Sequence, residues 1–82
     1  MKYFLTKHAK ERMAERLIPE RIIASTITNP TSILYDDNGR LLIKKLYRKR
    51  NKERLLLIAG EITEDKLKVI TVIDTSKINK YL

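Results

Sequence analysis

The stretch Ser32-Ile33-Leu34-Tyr35-Asp36-Asp37-Asn38-Gly39-Arg40-Leu41-Leu42-Ile43-Lys44-Lys45-Leu46-Tyr47-Arg48 decides the fold. Upstream of it the apolar residues recur at helical spacing, and from Ser32 the period becomes two. Ile33 to Asp36 reads as a short strand. Asp37-Asn38-Gly39 reads as a turn whose Asn-Gly pair tolerates positive φ, and Arg40 to Arg48 as the returning strand of a hairpin. Leu42, Lys44, Leu46 and Arg48 fall on one side of that strand, Leu41, Ile43, Lys45 and Tyr47 on the other. Which side faces the core stays open near its end.

Downstream, Lys49-Arg50-Asn51-Lys52 is a basic turn. Glu53 to Glu61 holds Leu55-Leu56-Leu57-Ile58 and reads as a central strand, apolar on both faces. Glu64-Asp65 reverses the chain, Lys66 to Asp74 alternates as a last long strand, and Ser76 to Leu82 is a short tail. Upstream, Thr6 is a good N-cap for a helix ending near Leu17, with Ala9, Met13 and Leu17 as its apolar stripe and Ala14 beside them. A second helix starts at Pro19, carries Glu20 in its first turn, buries Ile22, Ile23 and Ile27, and stops at Asn29 before Pro30. The alternative is that the β-branched run at Ser25 to Thr28 goes extended. These elements predict one α+β domain over residues 1–82, two N-terminal helices packed on one face of a four-stranded antiparallel sheet with the other face open.

Eighty-two residues hold one core, and the absence of cysteine removes disulfides and thiolate metal sites. With a single histidine the chain is expected to carry no metal and no cofactor. Two glycines and ten scattered acids assemble no Ser/His/Asp triad, paired-carboxylate site or Gly-rich phosphate loop. No apolar run approaches the ~18 residues of a membrane span, and the start lacks a signal-peptide core, so the expected location is cytoplasmic. Eighteen Lys and Arg against ten Asp and Glu leave a formal +8. That balance favours a polyanionic partner through counterion release. RNA, DNA, anionic lipid and an acidic protein all stay eligible, beside the plain reading of a Lys-rich solvated surface.

Two groups of residues can carry chemistry. His8, Arg12 and Arg16 fall at i, i+4 and i+8 on the first helix, one column beside its apolar stripe. Such a column asks for an acidic neighbour or a bound anion, the local alternative being compensation by Glu11 and Glu15 or a salt bridge to Glu61 or Asp74. Lys44, Lys45, Arg48, Lys49, Arg50, Lys52 and Arg54 lie within eleven residues and can track phosphates, with Tyr47 and Tyr35 interleaved. Tyr35 is expected to be packed rather than stacked on a base. Metal-free RNA cleavage needs a base for the 2′-hydroxyl, cations at the phosphorane and a proton for the leaving oxygen. His8 is the one imidazole available for proton transfer. Arg12 and Arg16 can grip the phosphate, with Lys44 or Arg48 completing the clamp.

The helix motif His8-Ala9-Lys10-Glu11-Arg12-Met13-Ala14-Glu15-Arg16, then Ile18, Asn29-Pro30 and Val69-Ile70-Thr71-Val72, resembles a small prokaryotic domain family of unassigned function. The likeness covers nearly the whole chain, and Arg16-Leu17-Ile18 stands where that pattern has Arg-Gly-Ile. The family is similar in layout to the BrnT and RelE-like toxins of toxin-antitoxin pairs, compact ribonucleases with N-terminal helices on an antiparallel sheet. The resemblance marks His8, Arg12, Arg16 and Thr71. It implies a metal-independent ribonuclease that meets RNA, free or on a ribosome, and an acidic antitoxin protein. A second reading is a non-catalytic nucleic-acid-binding or regulatory module in which the same column only positions phosphates, on a basic surface with Lys44, Lys45, Tyr47, Arg48, Arg50, Arg54 and Thr71. A third is a domain that forms a homodimer through its open sheet face.

Overall fold

The computed structural model describes residues 2–82, in the order β1 (Lys2–Leu5), α1 (Lys7–Arg16), α2 (Glu20–Thr28), β2 (Ser32–Tyr35), β3 (Arg40–Lys49), β4 (Lys52–Thr63), β5 (Lys66–Thr75) and α3 (Ile78–Tyr81). The sheet has five strands in the order β1-β5-β4-β3-β2. β2 to β5 pair antiparallel in sequence, and β1 pairs parallel with β5, Tyr3 opposite Leu67. The expected two helices on a four-stranded antiparallel sheet are therefore corrected to three helices on a five-stranded mixed sheet. Four residues of Lys2-Tyr3-Phe4-Leu5 are too few for a period to register, and a parallel partner more than sixty residues away leaves no local signal. The tail is corrected too, since Ile78–Tyr81 is a helical turn.

Thr6 ties α1 to the sheet. Its side-chain oxygen accepts from the Ala9 amide at 3.1 Å as the N-cap, and the same hydroxyl donates to the Ile70 carbonyl at 3.1 Å. The far end closes with Leu17 in the left-handed region at φ 55. The Ile18 amide donates to the Met13 carbonyl at 2.9 Å and the Leu17 amide to Ala14 at 3.3 Å, the bond pair of a Schellman cap. Leucine thus adopts the conformation that glycine would take without steric cost. α2 runs helical through Thr28, which removes the extended alternative. The Thr26 hydroxyl donates to the Ile22 carbonyl at 2.7 Å and the Asn29 amide closes onto Ser25.

Both long hairpins turn on two left-handed residues, Arg50-Asn51 and Glu64-Asp65, the backbone that matches strand twist. In the β2–β3 turn Asp36 accepts the Asn38 and Arg40 amides at 2.8 and 3.0 Å, and these bonds hold its carboxyl below the usual carboxylate range. The β4–β5 ladder shifts register at Ala59/Gly60. A Cβ at Gly60 would stand 2.5 Å from the Lys68 carbonyl oxygen, so the close strand approach there requires glycine.

The sheet has two unlike faces. Leu41, Ile43, Leu56, Ile58, Leu67, Val69 and Val72 meet Ala9 and Met13 of α1, Ile18 of the following turn, and Ile23 and Ile27 of α2 in one core. On the opposite face lie Leu55 and Leu57, buried outside that core, and Lys44, whose ammonium donates to the Tyr81 carbonyl. That bond sets α3 on the second face. Among the described residues no helix is long and apolar enough to cross a membrane.

Candidate nucleic-acid interface

Where β3 and β4 run out past the core, their helix-side residues change from apolar to polar. Ile43 and Ile58 face each other in the core, while further along Tyr47 stands opposite Arg54 and Asp74 opposite Leu56. Strand alternation points Tyr47, Arg54 and Asp74 to the same side as the core residues. The Asp74 side chain is 5% exposed. Its Oδ1 accepts from the Tyr47 hydroxyl and from Arg54 Nε, both at 2.8 Å, and Lys49 Nζ stands 3.8 Å from Oδ2. Lys49 Nζ also donates to the Arg16 carbonyl at 2.9 Å, binding the hairpin end to the last turn of α1. A buried carboxylate with such partners is satisfied and holds them in place.

The electrostatics follow from that carboxylate. Burial, then the hydrogen bond to Asp74 and its charge, push the Tyr47 phenol up to about 12. The hydrogen bond to Asp74 raises Arg54 above its already high ordinary value. Arg54 spends Nε on Asp74, which leaves the two terminal nitrogens of its guanidinium for another acceptor.

Two hollows flank this network and meet at Lys49 and Arg50. The first, ≈ 360 Å³, has Leu17, Pro19, Ile22 and Tyr47 with Arg21, Arg48, Lys49 and Arg50 around it. The second, ≈ 370 Å³, is lined by Lys49, Arg50, Lys52, Arg54 and Asp74. Six cations therefore surround a surface whose lining contains one acid, already committed to its neighbours. The arrangement can receive phosphate oxygens, and the first hollow adds apolar wall.

The structure sorts the residues expected from sequence. Arg50 borders both hollows, Arg48 only the first, where its guanidinium donates to the Asn51 carbonyl at 3.4 Å, and Arg54 only the second, with Tyr47 held by Asp74. Lys44 is corrected: it is 7% exposed, on the face away from α1, and held by Tyr81, so it cannot clamp a phosphate with Arg12 and Arg16. Lys45 is turned toward α2, its ammonium on the Asn29 carbonyl at 2.6 Å. Thr71 is half-buried opposite Ala59, a ladder position on the α3 side of the sheet. Tyr35 is 71% exposed on the short edge strand β2 rather than packed.

The helix column does not converge with the hairpin. His8 is exposed on the first turn of α1, and the eight-residue rise to Arg16 is about 12 Å. Arg12 Nη1 pairs with Glu15 Oε2 at 3.3 Å, the local compensation that helical spacing permits. Arg16 contributes its carbonyl to Lys49, and none of the three lines either hollow.

Sequence reading missed the organising role of Asp74, although a signal was there. An acid two residues beyond buried Val72 in an alternating strand faces the core side and needs cations. It also missed Leu17, Pro19, Ile22 and Arg21 as a wall, because they belong to a helix-helix turn that meets the hairpin only in three dimensions. Among the described residues no three His, Asp or Glu side chains gather as metal ligands.

Residues 5–78 match the family described as Domain of unknown function (DUF4258). No curated protein and no solved structure matches the chain.

Proposed function

The chain belongs to the Domain of unknown function (DUF4258) family, and from that premise we propose that it binds RNA through the β3–β4 hairpin end and the adjoining α1–α2 turn. One observation carries the reading: Arg21, Arg48, Lys49, Arg50, Lys52 and Arg54 surround two joined hollows whose lining holds the single acid Asp74. Cations so placed neutralise successive phosphates and release their counterions. Asp74 keeps Arg54 and Lys49 from collapsing onto other partners and so presents them pre-set.

The test is a salt titration of binding to a short unstructured RNA. If about five phosphates are neutralised, log K falls against log salt with a slope near −3.5, roughly 0.7 per contact for a single strand. The double variant Arg50→Gln, Lys52→Gln removes two contacts and reduces the slope by about 1.4. A slope near zero, or binding unchanged by the double variant, would defeat this reading.

Cleavage in the manner of the BrnT and RelE-like toxins is the second reading. The motif from His8 to Arg16 and the exposure of the His8 ring support it. The distance of about 12 Å along α1 from His8 to Arg16 argues against one phosphate being shared by His8 and the hairpin cations. Incubation of labelled RNA without metal separates the readings: a ribonuclease gives products that vanish in His8→Ala while binding persists. An acidic antitoxin would cover the same basic surface and compete with RNA for it.

A further inference from the structure

We infer that the paired hollows at the hairpin end form a subsite for one unpaired nucleotide, its base against the Leu17, Pro19 and Ile22 wall and its phosphate among Arg50, Lys52 and Arg54. The inference rests on the RNA-binding reading and names what that surface selects, a single strand over a duplex.

Two observations lead to it. The hollows divide their chemistry: one has an apolar wall with a cationic rim, the other is cationic but for Asp74, and they meet at Lys49 and Arg50. A nucleotide has that division, an apolar base face joined through a sugar to a phosphate. Each hollow, at ≈ 360 and ≈ 370 Å³, is at the scale of one small-molecule fragment rather than a helical groove. A duplex keeps its base faces stacked inside, so only an unpaired base can use the wall.

The second observation is Leu17. It sits at φ 55, where a leucine costs about 1 kcal/mol relative to glycine, and the residue is 68% exposed. Neither the backbone nor the core gains from a leucine at this point. The side chain does form part of the first hollow beside Pro19 and Ile22. An exposed apolar side chain on a strained backbone position, lining a cation-rimmed hollow, gains its burial when a flat apolar ligand covers it.

The experiment compares four probes by fluorescence anisotropy at fixed salt: an unstructured RNA, the same RNA as a duplex, the same length with abasic sugars, and the DNA of the same sequence. The wild-type chain binds the unstructured RNA about fivefold or more tighter than the abasic strand, and tighter than the duplex. Leu17→Gly, which relaxes the backbone, erases the margin over the abasic strand and leaves abasic binding unchanged. Arg50→Gln weakens all strands together. A preference for RNA or for DNA among the base-bearing strands supports the subsite in either case and identifies the sugar it accepts. Equal affinity for base-bearing and abasic strands, insensitive to Leu17→Gly, overturns the nucleotide subsite while leaving phosphate binding in place. Absence of binding to every probe overturns both readings.

Discussion

Single residues here act through backbone conformation and burial more than through composition. Leu17 closes α1 in the left-handed region with its side chain largely in solvent, so Leu17→Gly removes strain and little buried area. It should stabilise the fold by about 1 kcal/mol, a rise in Tm of about 4 °C or more for a domain of this size, read by thermal melting. Tyr47 gives a pH signature. Its phenol titrates near 12 in the folded chain against an ordinary 10.0, so the fold favours the neutral form. That contribution is complete below pH 10 and is lost as pH climbs from 10 to 12, where the unfolded chain ionises and the folded one resists. Urea midpoints measured across that window should fall more steeply for the wild type than for Tyr47→Phe. At pH 8 the variant should be about 1 kcal/mol less stable, because Asp74 loses one of its donors.

Elements are joined at a few polar points. Thr6 serves α1 and β5 at once, accepting the Ala9 amide and donating to the Ile70 carbonyl. Thr6→Ala should cost about 1–2 kcal/mol in chemical denaturation, and Thr6→Ser much less, since serine keeps the oxygen in the same place. Lys49 does the corresponding work at the opposite end, linking the hairpin to the Arg16 carbonyl and to Asp74. α1 is therefore fixed to the sheet at both termini. This is how the wall from Leu17 to Ile22 is held against the cations of β3 and β4.

For the whole molecule, charge is the dominant long-range term. A formal +8 is spread over a body of 38 × 24 × 18 Å. At about 0.01 M salt the screening length is roughly 30 Å, so nearly every cation repels every other; at about 0.15 M it is roughly 8 Å and only neighbours interact. Salt screens the exposed Arg12–Glu15 pair, which contributes little, whereas the pairs of the buried Asp74 carboxylate are poorly screened. Added salt should therefore raise Tm while it weakens the proposed RNA binding, opposite signs from one cause. Scanning calorimetry and anisotropy over the same salt series check both.

The sequence by itself determined the local features. Thr6 as a cap, the period of two from Ser32, and the turns at Asn38-Gly39 and Arg50-Asn51 are each written in residues a few positions apart, where capping, alternation and φ preference operate. It also determined the excess of cations and their concentration between Lys44 and Arg54. Tertiary structure decided which of those cations matter together. One residue of alternation sends Lys44 to the α3 face, while Lys49 and Arg54 gather on a carboxylate twenty or more residues away. It also decided that β1 lies beside β5, and that the α1–α2 turn meets the hairpin end. These contacts are non-local: they follow from burying one shared core across distant segments, and no window of neighbouring residues encodes that pairing.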